Sequence, residues 1–158
     1  MNLPKLYLET TIPSYLTARR SRDLRLAADQ ETTEEWWDER RADFDLFISE
    51  AVLREVSRGE AGMAAARLAS LRGLPVLGDT PLANRLTKPL LAAGIIPEKA
   101  ADDASHVALA AAHGMDFLLT WNCTHINNRA IERQIERACA DLGVECPVIC
   151  TPTELMRM

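Results

Sequence analysis

Short apolar runs alternate with helix-forming stretches from end to end of this 158-residue chain. The run at residues 5–8 (KLYL) stops at Glu9; residues 44–49 (FDLFIS), 75–77 (PVL), 117–121 (FLLTW) and 148–150 (VIC) are the further strand candidates. Pro13, inside a polar cluster, marks the first turn of a short helix. A long polar helix is expected over residues 21–42 with Ser21 as its N-cap. Helical spacing returns from Glu50 until Gly59, and an Ala-rich helix over 61–71 ends at Gly73. Asp79-Thr80-Pro81 opens a helix that Pro89 is expected to kink or divide. Another runs from Pro97 to Ala112, closed by His113-Gly114. An amphipathic helix over 127–142 and a short one over 152–156 complete the pattern. Parallel neighbours need long crossovers, so this alternation predicts an α/β fold: a central parallel sheet of about five strands with helices on both faces. Ligands of such sheets bind beyond the carboxyl ends of the strands, which makes the residue where each strand stops the one to watch.

Composition narrows the function classes. With 47% hydrophobic and 26% charged residues the chain can bury a core, and disorder is excluded. The longest unbroken apolar run, residues 107–112, falls far short of the roughly 20 residues of a membrane span. The start, MNLPKLYLETT, lacks the apolar stretch of a signal peptide, so a cytoplasmic protein is expected. Eighteen Lys and Arg against 23 Asp and Glu give a net charge of −5. Nonspecific wrapping of nucleic acid draws on a basic surplus, so any such role here needs a metal, a local basic patch or a basic partner. Cys123, Cys139, Cys146 and Cys150 contain no CxxC pair and no zinc-finger spacing, and read as reduced thiols.

Acids and amides gather where the strands stop. The first strand ends at Glu9; the second ends at Ser49 and feeds a helix carrying Glu50 and Glu55. Asp102 and Asp103 open the helix before the FLLTW strand, which runs into Asn122. No glycine-rich phosphate loop is present. Converging carboxylates repel, so a buried cluster of them is costly unless protonated or bound to a cation. Oxygen donors of this kind suit hard divalent cations such as Mg²⁺ or Mn²⁺. Taken singly, each acid also reads as a solvated surface charge or a helix-start residue.

Tyr7-Leu8-Glu9-Thr10-Thr11-Ile12-Pro13-Ser14, Ile48-Ser49 with Glu55 following, Asp103-Ala104 ahead of His113-Gly114, and Leu118-Leu119-Thr120-Trp121-Asn122 resemble, in that order, a PIN domain of the VapC toxin type. The resemblance covers nearly the whole chain and implies one PIN-like domain over residues 1–158. It implies a metal-dependent endoribonuclease, the toxin of a type II toxin–antitoxin pair, using Mg²⁺ or Mn²⁺. The family's acids fall on Glu9, Glu55 and Asp103 as metal ligands, with Asn122 as the fourth catalytic position and Thr120 as its supporting hydroxyl. Family spacing selects Glu55 over Glu50 and Asp103 over Asp102. An RNA substrate, a cognate antitoxin and a homodimer are implied with it. Two departures matter: Glu9 stands where the family has Asp, moving the carboxylate by roughly 1.5 Å, and Asn122 adds no charge. A single-metal site is therefore expected. The alternative is a catalytically weakened PIN scaffold that binds RNA or antitoxin without turnover.

Other features carry both a functional and a plainer reading. The basic stretch Arg19-Arg20-Ser21-Arg22-Asp23-Leu24-Arg25 is either a grip on RNA phosphates or a solvated helix start. Arg129, Arg133 and Arg137, interleaved with Glu132 and Glu136, read as a solvent face with local ion pairs. His106 sits one turn after Asp103 and is either packed or turned toward the acids; His125 is a candidate for substrate contact or proton transfer. Trp36 and Trp37 are about 100° apart on a helix and cannot both point inward.

Overall fold

The computed structural model describes residues 2–158. Five strands, β1 (Lys5–Leu8), β2 (Asp45–Ser49), β3 (Val76–Leu77), β4 (Phe117–Leu119) and β5 (Val148–Cys150), form one sheet in the order β3-β2-β1-β4-β5. Every pairing is parallel, with Tyr7 of β1 opposite Phe47 on one side and Leu118 on the other. Among the described residues eight α-helices flank it: α1 (Thr11–Thr17), α2 (Leu24–Glu39), α3 (Glu50–Val56), α4 (Ala61–Ser70), α5 (Pro81–Ala92), α6 (Ala101–Ala112), α7 (Glu132–Asp141) and α8 (Pro152–Met156). The expected α/β architecture is the one observed.

The central strands read as near-continuous apolar runs because parallel strands are covered on both faces. Leu6, Tyr7 and Leu8 of β1 and Leu118 and Leu119 of β4 are all fully buried. Helix α6 presses on this layer with Ala104, Val107, Ala108 and Ala110, small residues that allow close approach. From α5, Leu86 and Leu90 are fully buried. The two tryptophans divide as expected: Trp36 is buried, and Trp37 stays half-buried with the Arg41 guanidinium 4.6 Å from its ring centre.

Several elements differ from expectation: the helix expected from Pro97 starts at Ala101 after a 3-10 turn over Glu98–Ala100, and four further differences have a clear local reason. Helix α2 starts at Leu24 because Asp23 caps it, its Oδ1 accepting from the Arg25 and Leu26 amides, while the Ser21 hydroxyl accepts from the Asp23 amide. Helix α5 runs through Pro89 undivided; buried Leu86 and Leu90 anchor it on either side, and the Pro89 carbonyl still accepts from Ala93. Helix α7 begins only at Glu132, since the Asn128 side chain accepts from Ala130 and holds a turn there. Strand β4 stops at Leu119 because the Trp121 amide leaves the sheet to donate to the Thr11 hydroxyl.

Strand order decides where a site can form. From β1 the chain builds outward through β2 and β3, then crosses back to add β4 and β5 on the other side. The reversal lies between β1 and β4, the position where open parallel sheets open a crevice at their carboxyl ends. Glu9 leaves β1 there, its amide donating to the Leu119 carbonyl.

Candidate functional site

Glu9 is only 3% exposed, a carboxylate set into the end of the sheet. Its Oε1 accepts from the Thr11 amide (3.1 Å), the Thr11 hydroxyl and the Thr120 hydroxyl (2.7 Å). These donors compensate much of the cost of burying the charge. Glu55 projects from α3, and its Oε1 accepts from the Thr10 hydroxyl (2.9 Å) and from His106 Nε2. Asp103, in the first turn of α6, has Oδ2 at 3.1 Å from His125 Nδ1. Asn122 follows β4, and its Oδ1 accepts from the Thr124 (3.2 Å) and His125 (3.0 Å) amides. Both lone pairs of that carbonyl are thus engaged, and Asn122 organises the loop that carries His125.

These contacts join all four predicted positions into one circuit. Thr120 links Glu9 to Asn122, whose amide donates to the Thr120 hydroxyl; Asn122 holds His125; His125 meets Asp103. Asp103 lies one turn from His106 on α6, His106 meets Glu55, and Glu55 meets Thr10, the residue after Glu9. The competing acids stand apart: Glu50 is exposed, and Asp102 faces Arg58 at 3.4 Å on the surface. The Arg19–Arg25 stretch is largely exposed, with Arg20 paired to Glu34 at 2.9 Å.

In each of the three acids one oxygen is held by the protein, and no hydrogen bond from a described residue reaches the other: Glu9 Oε2, Glu55 Oε2 and Asp103 Oδ1. That hard-oxygen set suits Mg²⁺ or Mn²⁺ in donor type. Among the described residues, however, no three His, Cys, Asp or Glu side chains form a group able to hold one ion. A closed protein cage is therefore not formed; a Mg²⁺ ion here would need water to complete its octahedron around one or two carboxylates.

Sequence reasoning did not find what lies behind Glu55. The fully buried Tyr7 hydroxyl sits 2.6 Å from His106 Nδ1 and 2.7 Å from the Ser49 hydroxyl, which in turn accepts from the Val52 amide. The available signals were the lone hydroxyl inside the KLYL run and the one-turn spacing of Asp103 and His106. His106 is both packed, at 0% exposure, and turned toward the acids. Burial raises the Tyr7 pKa far above its ordinary value, so the phenol stays protonated.

The His106–Glu55 pair sets a pH dependence. Burial opposes ionisation of Glu55, but the His106 and Thr10 hydrogen bonds outweigh it and hold the carboxyl below its usual range. Burial likewise opposes charging His106, but the Glu55 hydrogen bond and the charges of Glu9, Glu55 and Asp103 outweigh it and raise its pKa. The stability from Glu55 is present above the ordinary carboxylate value of 4.5 and lost as pH falls through its lowered native one. That from His106 is present below the ordinary value of 6.5 and lost as pH rises through its raised native one. In metal-free buffer the urea midpoint is expected to peak between those two ordinary values. In Glu55→Gln the decline on the acid side should shrink; an unchanged acid limb would refute the assignment.

No family model matches the chain, and no curated protein matches it. Among solved structures, VapBC2 from Rickettsia felis, crystallised bound to a DNA fragment from its promoter, superposes with a TM-score of 0.60. That match is 17% identical and covers 92% of this chain and 97% of the other. The two share a fold, and the sheet order and flanking helices are PIN-like. In this PIN fold Glu9, Glu55 and Asp103 come from β1, α3 and α6 to the carboxyl edge of the sheet. Two large cavities lie at the opposite edge: one of about 820 Å³ lined by Pro4, Lys5 and Asp116, and one of about 500 Å³ lined by Asp45 and Pro75. None of the four site positions lines either cavity. Among the described residues no helix is long and apolar enough to cross a membrane.

Proposed function

We propose that this protein is a Mg²⁺- or Mn²⁺-dependent endoribonuclease and the toxin half of a toxin–antitoxin pair. The observation that carries the reading is the circuit uniting Glu9, Glu55 and Asp103 at the strand-order reversal of a VapC-like PIN fold. Glu9 Oε2, Glu55 Oε2 and Asp103 Oδ1 would hold the cation directly or through water. When bound, the cation supplies Lewis acidity: it makes a water more acidic and offsets the phosphate's growing negative charge. Hydrogen bonds from Thr10, Thr11 and Thr120 hold one oxygen each of Glu9 and Glu55, leaving the other free to serve a cation. Asn122 holds the loop, and His125, steadied by Asp103, would be available to contact a phosphodiester. The exposed arginines at 19, 22 and 25 supply the local positive charge that a chain of net charge −5 needs to meet RNA.

The structural neighbour is a VapBC pair on promoter DNA. By that analogy the chain has a protein antitoxin, and a homodimer of the chain is the unit it inhibits. Incubation of the purified chain with structured RNA tests the reading: cleavage should appear with Mn²⁺ or Mg²⁺ and disappear in excess EDTA. Full cleavage in EDTA would overturn it.

One observation favours a second reading, a scaffold that binds RNA or antitoxin without turnover: no set of three metal-holding side chains exists among the described residues. Calorimetry separates the two. Heat of Mn²⁺ binding supports the nuclease, and its absence at millimolar metal supports the scaffold.

A further inference from the structure

Fully buried side chains bond both Glu9 and Glu55, Thr120 in one case and His106 in the other, but His106 is backed in turn by the buried hydroxyls of Tyr7 and Ser49. The hydrogen bonds run without a gap. Val52 N–H donates to Ser49 Oγ, the Ser49 and Tyr7 hydroxyls share a hydrogen bond, and Tyr7 Oη meets His106 Nδ1; a neutral ring that donates from Nε2 to the Glu55 carboxylate accepts at Nδ1 from the Tyr7 hydroxyl. The Glu55 carboxylate, which also accepts from Thr10, has no proton to give, which assigns the Nε2–H tautomer to the neutral ring. Protonation of the ring leaves Nε2 a donor, so the contact with Glu55 holds in either state. The chain starts from the end of β2, passes through the central strand β1 and ends on α6, so the orientation of the imidazole is set by the sheet.

We propose that His106, oriented by Tyr7 and Ser49, is the positioning residue for Glu55. It pins Oε1 inward, together with Thr10, and so presents Oε2 to the cation. The inference rests on the metal-site reading above. Outer partners of metal ligands act in this way, and losing one costs about 10- to 100-fold in metal affinity or activity.

The test is Mn²⁺ affinity by calorimetry, read beside RNA cleavage and urea unfolding, in wild type, His106→Leu, His106→Gln and Tyr7→Phe. His106→Leu should weaken Mn²⁺ binding at least about tenfold. His106→Gln, whose amide N–H can still reach Glu55, should recover most of the loss. In a Glu55→Ala background His106→Leu should change Mn²⁺ affinity less than about twofold, because two groups acting through one contact are not additive. Should His106→Leu not fold, Tyr7→Phe, which deletes a single oxygen, carries the comparison and should weaken Mn²⁺ binding by a few-fold. The proposal is overturned if folded His106→Leu, or Tyr7→Phe in its place, binds Mn²⁺ like wild type, or if the loss persists undiminished without Glu55. Wild type that binds no Mn²⁺ overturns the metal-site reading itself, an outcome distinct from either.

Discussion

Asp103→Asn is expected to lower RNA cleavage in Mn²⁺ by about 100- to 1,000-fold while leaving the fold intact. The substitution keeps the shape of the side chain and replaces a charged oxygen donor by a neutral amide. Asp103 sits in the first turn of α6 with its side chain 17% exposed, so no core packing is lost. Its contact with His125 survives through the remaining amide atoms, and the loop ordered by Asn122 has its own hydrogen bonds. What disappears is one of three negative charges, and the site has no surplus, since Asn122 contributes none. Metal-derived stabilisation of a transition state amounts to several kcal/mol. Losing about 3–4 kcal/mol of it gives the stated range. Single-turnover cleavage with circular dichroism as the folding control measures it. A folded Asp103→Asn protein that cleaves at the wild-type rate would remove Asp103 from the mechanism.

The largest effect on stability is expected in the central strand, β1. Leu6 is fully buried in β1, paired with Leu46 of β2 and Phe117 of β4, on the central strand of a sheet covered on both faces. Leu6→Ala removes three carbons from a site whose neighbours belong to two other strands and cannot easily close the space. A loss of about 2–5 kcal/mol follows from lost burial plus the cavity. A domain of this size holds only about 5–15 kcal/mol in total, so the variant should be marginal at 37 °C. Urea unfolding at 25 °C measures the difference. Because Leu6 lies away from the carboxyl edge, Mn²⁺ affinity of the folded fraction should stay within about twofold of wild type. A midpoint shift worth less than about 1 kcal/mol would contradict this account of the core.

The parts of the fold that local chemistry controls were legible. The KLYL run stops at a charge, and β1 ends at Leu8 as expected; VIC and the short helix after it also fall on β5 and α8. Boundaries set by competition between similar residues were not. Ser21 and Asp23 are both good caps, and only the folded backbone shows that Asp23 reaches two amides. Pro89 reads as a helix breaker, yet burial of Leu86 and Leu90 carries α5 through it. Trp121 reads as strand, but the Thr11 hydroxyl, 110 residues away, takes its amide out of the sheet.

The site divides along the same line. Its candidate acids lie near the ends of elements that the sequence delimits, but the choice of Glu55 over Glu50 and Asp103 over Asp102 rests on the family resemblance alone. Its supports were not legible, because Tyr7, Ser49, His106 and Glu55 are separated by 42, 99 and 51 residues along their successive contacts. No periodicity joins positions so distant; only the order β2-β1-β4 and the placement of α6 bring them together.

A crystal of the wild-type protein grown with Mn²⁺, with anomalous scattering recorded to locate the ion, tests the account at its centre. It predicts one Mn²⁺ at the carboxyl edge between β1 and β4, bound directly to at least one of Glu9 Oε2, Glu55 Oε2 and Asp103 Oδ1 and through water to the others. Mn²⁺ bound only elsewhere, with those three oxygens left to solvent, would contradict it.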